Sequence, residues 1–145
     1  MIYLLDTDHV SVFQRGGELA DPLLSRLQVL PPDDYGTTII TYEEQCRGWT
    51  DRIHQARNAK GRVLAYQCLS DNLRFFSRIS VWDYSLEAEA QFTRLGTINI
   101  GTKDRRIAAI ALATNATVLT RNRRDFDKIP GLRTEDWTVE PNLDV

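Results

Sequence analysis

The sequence predicts an α/β fold, a three-layer α/β/α sandwich around a central parallel sheet. Three observations predict it. Short apolar or β-branched runs alternate with amphipathic helical stretches along all 145 residues, the order produced by right-handed β-α-β crossovers. The opening run Met1-Ile2-Tyr3-Leu4-Leu5 is apolar without alternation, as expected of a strand covered on both faces. No internal repeat, Gly/Ser linker or low-complexity tract divides the chain, so residues 1–145 are expected to form one domain.

Each element follows in order. The first strand ends at Asp6, and His9 to Gln14 opens a helix with Asp6, Thr7 or Asp8 as its cap. Gly16-Gly17 ends that helix. Pro22 begins a second short one carrying Leu23, Leu24, Leu27 and Leu30, stopped by Pro31-Pro32. Thr37 to Ile40 is β-branched and predicts strand two. Tyr42, Cys46, Trp49, Ile53 and Ala56 then recur at helical spacing, one apolar stripe. After a break expected at Gly61, Tyr66, Leu69, Leu73 and Phe76 keep the rhythm, giving a helical hairpin over about 41–77. Ile79 to Trp82 predicts strand three, and Leu86 to Leu95 a helix closed by Gly96. Thr102 is placed to cap a helix from Lys103 to Asn115, and Thr117 to Thr120 is strand four. Asn122 to Lys128 forms a turn or short helix, Pro130-Gly131 a break, and Arg133 to Val139 the last strand.

Composition narrows the function. The net charge is −2 with 42% hydrophobic and 26% charged residues, which excludes disorder and a uniformly basic nucleic-acid coat. The balance is uneven: residues 1–40 are net −4, residues 41–62 net +2, residues 101–128 net +4 and residues 129–145 net −3. A cationic surface is therefore expected in one place only. Cys46 and Cys68 form no metal-ligand or disulfide pattern. The five apolar residues before Asp6 lack a basic lead, and Ile107 to Ala113 is the longest later apolar run. Neither an export signal nor a membrane span is expected, and the expected location is cytoplasmic.

Ligands of parallel sheets bind outside the carboxyl ends of the strands. Asp6 follows strand one, Glu43 and Glu44 follow strand two, Asp104 opens a helix, and Asp125 follows strand four. Asp6, Glu43 or Glu44, Asp104 and Asp125 are thus expected to converge. Carboxylates within about 4 Å of one another repel by roughly 4 kcal/mol at an effective dielectric near 20, so such a cluster implies a hard cation. Mg²⁺ or Mn²⁺ suits an all-oxygen site in a chain whose only histidines are His9 and His54. Each acid also has a plainer reading. Asp6 caps a helix, Asp104 complements a helix dipole, Asp125 is a turn acid, and Thr41 to Glu44 matches a capping box.

The ordered set of segments resembles the PIN-domain ribonucleases of the VapC toxin type, found in type II toxin–antitoxin systems. It consists of Leu4-Leu5-Asp6-Thr7-Asp8, Ile40-Thr41-Tyr42-Glu43-Glu44-Gln45 with Gly48 and Trp49, Ile100-Gly101-Thr102-Lys103-Asp104-Arg105-Arg106, and Val118-Leu119-Thr120-Arg121-Asn122-Arg123-Arg124-Asp125-Phe126. Ile129-Pro130-Gly131-Leu132 and Glu135-Asp136-Trp137 complete it. The chain departs from the pattern in Asp8, in Arg105 and in a short loop from Leu95 to Gly101.

The resemblance implies metal and catalytic roles for Asp6, Glu44, Asp104 and Asp125, with Glu44 chosen over Glu43 by its spacing to Gly48. Thr7 and Asn122 would be supporting polar residues. It implies Mg²⁺- or Mn²⁺-dependent RNA hydrolysis leaving 5′-phosphate and 3′-hydroxyl ends. It also implies a homodimer and an antitoxin partner in a hydrophobic groove, for which the hairpin with Trp49 and Tyr66 is the candidate. Lys103, Arg105, Arg106, Arg121, Arg123 and Arg124 flank the acids and are expected to include phosphate contacts that position RNA without reading it. Arg47, Arg52 and Arg57 are further candidates. Two other readings compete: a haloacid-dehalogenase-like phosphatase opening on Asp6-Thr7-Asp8, and a catalytically inert antitoxin-binding module.

Overall fold

Leu4 and Leu5 point to opposite faces of the first strand, and neither sees solvent. Leu4 packs in one core with Ile107, Ile110, Val118 and Phe126. Leu5 packs in another with Val10, Leu23, Phe76 and Leu119. A strand buried on both sides is the physical meaning of its unbroken apolar run. In the computed structural model, which describes residues 1–141, five strands carry these two cores: β1 (Tyr3–Leu5), β2 (Tyr35–Thr38), β3 (Ser80–Trp82), β4 (Thr117–Leu119) and β5 (Arg133–Glu135). All pair in parallel, in the order β3-β2-β1-β4-β5.

The helices are α1 (Thr7–Arg15), α2 (Asp21–Leu27), α3 (Ile39–Gln55), α4 (Ala59–Ser77), α5 (Leu86–Leu95), α6 (Thr102–Thr114) and α7 (Arg123–Phe126). The sandwich expected from the alternating pattern is present. Its chain runs outward from β1 through β2 to β3, then returns to β4 on the other side. The strand order therefore reverses between β1 and β4, the place where parallel sheets open a crevice at their carboxyl edge. Close sheet packing requires Gly36, because a Cβ there would run into the Ser80 carbonyl and the Trp82 ring.

Several boundaries differ from the sequence expectation, each for a physical reason. Strand two ends at Thr38 rather than Ile40. Its last residue is extended (φ −115°, ψ 158°) and its hydroxyl accepts from Thr41 N, so α3 begins at Ile39. Burial of Ile40 in the core overrides the β preference of the Ile-Ile pair. The hairpin break lies at 56–58 rather than at Gly61, because Asn58 caps α4 and its Oδ1 accepts from Gly61 N at 2.7 Å. Thr102 is the first residue of α6 and makes no capping bond; Gly101 holds the cap position. Helix α2 stops at Leu27, leaving Leu30 outside it. Strand five stops at Glu135, where Asp136 Oδ1 accepts from Thr138 N and Oγ1 at 2.9 and 2.6 Å and turns the chain. The last-strand expectation to Val139 is thus shortened.

Candidate acidic metal site at the carboxyl edge of the sheet

Asp6 stands where β1 leaves the sheet, its N–H still donating to Leu119 O of β4 at 3.0 Å. It is 5% exposed, and its Oδ1 accepts from His9 N at 2.8 Å, so Asp6 is the cap of α1. The capping reading is correct for one oxygen. No donor among the described residues meets the other, Oδ2, so the cap and a ligand role are compatible.

Glu44 is settled differently. With α3 capped by Thr38, the third helical residue is Thr41, and Glu44 lies in the second turn. The capping box over Thr41 to Glu44 does not form. Glu44 Oε2 instead accepts from Thr7 Oγ1 at 2.6 Å, and that hydroxyl lies 3.2 Å from Thr41 Oγ1. Thr7 thereby links the start of α1 to α3 across the edge. Glu43 faces away, exposed and paired with Arg47 at 3.5 Å.

Asp104 is the third residue of α6, in its first turn. Its carboxyl is pushed up to about 6, first by burial and then by the charges of Asp6, Glu44 and Asp125 in that order. This is the electrostatic signature of four acids from four elements sharing one space. Asp125 behaves oppositely. An Asn122 Nδ2 hydrogen bond at 3.0 Å and Lys128 Nζ at 3.3 Å hold its carboxyl below the usual range. Asn122 N in turn donates to Thr120 Oγ1 at 2.8 Å, fixing the turn after β4.

The acids are gathered but not closed. Among the described residues, no three His, Cys, Asp or Glu side chains already surround one point. Glu44 Oε1 lies 3.5 Å from Lys103 Nζ, and Lys128 Nζ bridges Asp125 to Asn99 O at 3.1 Å. A cation held here would compete with these lysines for the Glu44 and Asp125 carboxylates. The donor chemistry fits: hard carboxylate oxygens without imidazole suit Mg²⁺ or Mn²⁺. Of the two histidines, His54 is exposed and His9 is buried in α1.

The flanking cations divide. Arg121 is exposed 3.6 Å from Asp8, Arg123 donates to Thr134 Oγ1 at 3.3 Å, and Arg124 is exposed. Arg105 lies over the Phe92 ring at 4.7 Å and donates to Gly96 O. Arg106 lies over the same ring at 5.5 Å. Both belong to the basic group expected to include phosphate contacts, and here both engage α5. Arg47 is tied to Glu43, and Arg52 lies over Trp49 at 4.9 Å. Lys128 was absent from the sequence expectation, although its spacing of three from Asp125 would have flagged the pair.

One helical turn beyond Thr7 and Glu44, a cleft of about 560 Å³ opens between α1 and α3, lined by residues including Ser11, Gln14, Gly48, Trp49 and Arg52. Beyond it, α4 exposes Val63, Leu64, Tyr66 and Leu73.

A family model described as the PIN domain matches residues 3–132. Ribonuclease VapC1 of Haemophilus influenzae (strain R2866) is 27% identical over 146 residues, covering 95% of this chain and 99% of the relative. The tRNA(fMet)-specific endonuclease VapC of Salmonella typhimurium is 40% identical over 70 residues, covering 43% of this chain and 52% of that protein. Among solved structures, VapBC-1 from nontypeable Haemophilus influenzae superposes with TM-score 0.74 at 25% identity, covering 96% and 100% of the two chains. VapBC2 from Rickettsia felis, bound to a DNA fragment from its promoter, superposes with TM-score 0.72 at 26% identity, covering 94% and 99%.

Proposed function

We propose that this chain, which belongs to the PIN-domain family, is a metal-dependent endoribonuclease serving as the toxin of a toxin–antitoxin pair. One observation carries the reading. Four carboxylates reach the switch point of the sheet from four separate elements, and burial, reinforced by the charges of the other three, raises Asp104 to about 6. Evolution toward stability alone would disperse such a cluster. The names of the relatives, VapC ribonucleases and a VapC endonuclease, support the same chemistry.

Asp6, Glu44, Asp104 and Asp125 would hold the Mg²⁺ or Mn²⁺. When bound, such a cation supplies a polarised water and offsets the charge of a phosphodiester. The chain's own residues prepare the place. Thr7 Oγ1 holds Glu44 Oε2 at 2.6 Å, His9 N holds Asp6 Oδ1, and Asn122 holds Asp125 Oδ2. Burial and the neighbouring acids raise the Asp104 pKa to about 6, so a cation held there would compete with its proton. Lys103 and Lys128 pair with Glu44 and Asp125. Arg121 and Arg124, exposed beside α7, serve as phosphate contacts that orient RNA. Hydrolysis in this manner leaves a 5′-phosphate and a 3′-hydroxyl.

The solved neighbours are VapBC complexes, which supports an antitoxin partner for this chain. The cleft between α1 and α3 and the exposed apolar hairpin are the surface we assign to it, and a second copy of the chain is part of the same proposal. No helix among the described residues is long and apolar enough to cross a membrane. The phosphatase alternative needs Asp8 to work beside Asp6; Asp8 is exposed, paired with Arg121 at 3.6 Å, and is not among the charges that raise Asp104.

The test is incubation of the purified chain with RNA in Mg²⁺, Mn²⁺ or chelator, with end mapping of the products. Cleavage only with cation, giving 5′-phosphate ends, is expected. Intact RNA in both cations, with no Mn²⁺ uptake at millimolar concentration, returns the chain to an inert binding module. Hydrolysis of simple phosphate esters instead of RNA selects the phosphatase.

A further inference from the structure

We propose that the His9 imidazole is a positioning residue for Asp6, orienting its carboxylate toward the acidic edge; the inference rests on the reading of that edge as a cation site. His9 is fully buried on α1, where an apolar side chain would fill the space without needing a hydrogen-bond partner. Its two nitrogens are engaged unequally. Nε2 accepts from Trp137 N at 3.2 Å. A backbone amide can only donate, so Nε2 carries the lone pair and the ring proton resides on Nδ1.

That Nδ1 is buried, has no hydrogen-bond partner among the described residues, and lies 3.6 Å from Asp6 Oδ1. Asp136 Oδ1, 3.7 Å from Nε2, is already occupied by Thr138 N and Oγ1 and needs nothing from the ring. The Trp137 anchor is held in turn, packed at a tilt against Tyr3 with centroids 4.6 Å apart and beneath Arg26 at 5.5 Å. A rigid strut thus runs from the Trp137 backbone through the imidazole to Asp6. The backbone His9 N holds Oδ1 at 2.8 Å; the imidazole N–H flanks the same oxygen from the buried side, keeping the carboxylate turned so that Oδ2 is left for a ligand. The 3.6 Å separation exceeds a hydrogen bond, and contacts of this kind commonly tighten once a site is occupied. Partners that orient ligating carboxylates in this way typically control metal affinity by 10–100-fold, in order of magnitude.

Two substitutions separate positioning from simple packing. His9→Asn keeps a donor near Nδ1 and loses the acceptor at Nε2. His9→Gln keeps an amide near Nε2 and loses the donor facing Asp6. Mn²⁺ affinity is measured by calorimetry on the full chain without RNA, beside the Tm of the cation-free protein. Loss of about 10–100-fold in affinity for His9→Gln, with His9→Asn near wild type even at a lower Tm, is expected. Equal affinities for both variants, or the reverse order, overturn the proposal and leave His9 as a tie between α1 and residues 136–138. Wild-type protein that takes up no Mn²⁺ instead overturns the cation reading itself. Imidazole ¹⁵N spectra of the unmutated chain give an independent check: the Nδ1-protonated neutral form is expected, and the Nε2-protonated form refutes the strut.

Discussion

The two edges of one sheet are built on opposite principles. At the amino edge, Arg133 at the start of β5 donates to Asn115 O at 2.7 Å, Asn115 Oδ1 at 3.2 Å and Thr117 Oγ1 at 3.4 Å. Asn115 closes α6 in the left-handed conformation at φ 56°, a role asparagine tolerates better than most residues. Charge there meets uncharged acceptors and is satisfied. At the carboxyl edge four acids are assembled against their mutual repulsion, and one of them is raised to about 6. The comparison teaches where to look for chemistry: local interactions that conflict with stability mark the working edge.

The largest expected effect comes from removing the conflict. Asp104→Asn should reduce RNA cleavage by at least about 100-fold, since even outer partners of metal ligands cost 10–100-fold. The same change should stabilise the cation-free protein at neutral pH. Asp104 binds its proton more tightly folded than unfolded, so its contribution is fully present below the ordinary carboxylate range and is lost as pH rises through about 6. Urea unfolding in chelator between pH 4 and 8 should show that decline in the wild type and a flatter profile in the variant. An unchanged profile would show that another group titrates there.

Glu44→Gln should abolish cleavage to a similar degree while moving stability by less than about 0.5 kcal/mol, because Glu44 caps nothing. Wild-type turnover in that variant removes Glu44 from the chemistry. The real cap predicts the reverse: Thr38→Ala should cost about 1–2 kcal/mol in denaturation experiments and retain cation-dependent cleavage. At the opposite edge, Arg133→Ala should cost about 0.5–1.5 kcal/mol from its lost hydrogen bonds without altering turnover. A cleavage defect there would dissolve the contrast between the edges.

How much of this was legible depended on how local the determining physics was. The β1 run, the stripe beginning at Tyr42 and the cap at Asp6 are read from neighbouring residues, and their elements appear close to where the spacing puts them. The Asn58 cap is not read in this way, and the expected break falls at Gly61 instead. The Ile39-Ile40 pair was misassigned because its β preference is local, while the packing of Ile40 that makes it helical is not. The capping box at Thr41 failed for the same reason. The engagement of Arg105 and Arg106 with Phe92 of α5 depends on two helices meeting, which no spacing within α6 encodes. His9 is the furthest case, since its partners lie at Asp6 and at Trp137, 128 positions away along the chain.

By itself the sequence determined the alternation of strands and helices, the strand ends that bear acids, and the oxygen-rich, histidine-poor ligand chemistry, because these follow from residue type and periodicity. Only the tertiary structure decided that β1 and β4 are neighbours, that Thr7 reaches Glu44, and that burial with three distant charges raises Asp104. Those are through-space effects, and a Coulomb or hydrogen-bond energy depends on distance in the folded chain, which linear order does not specify.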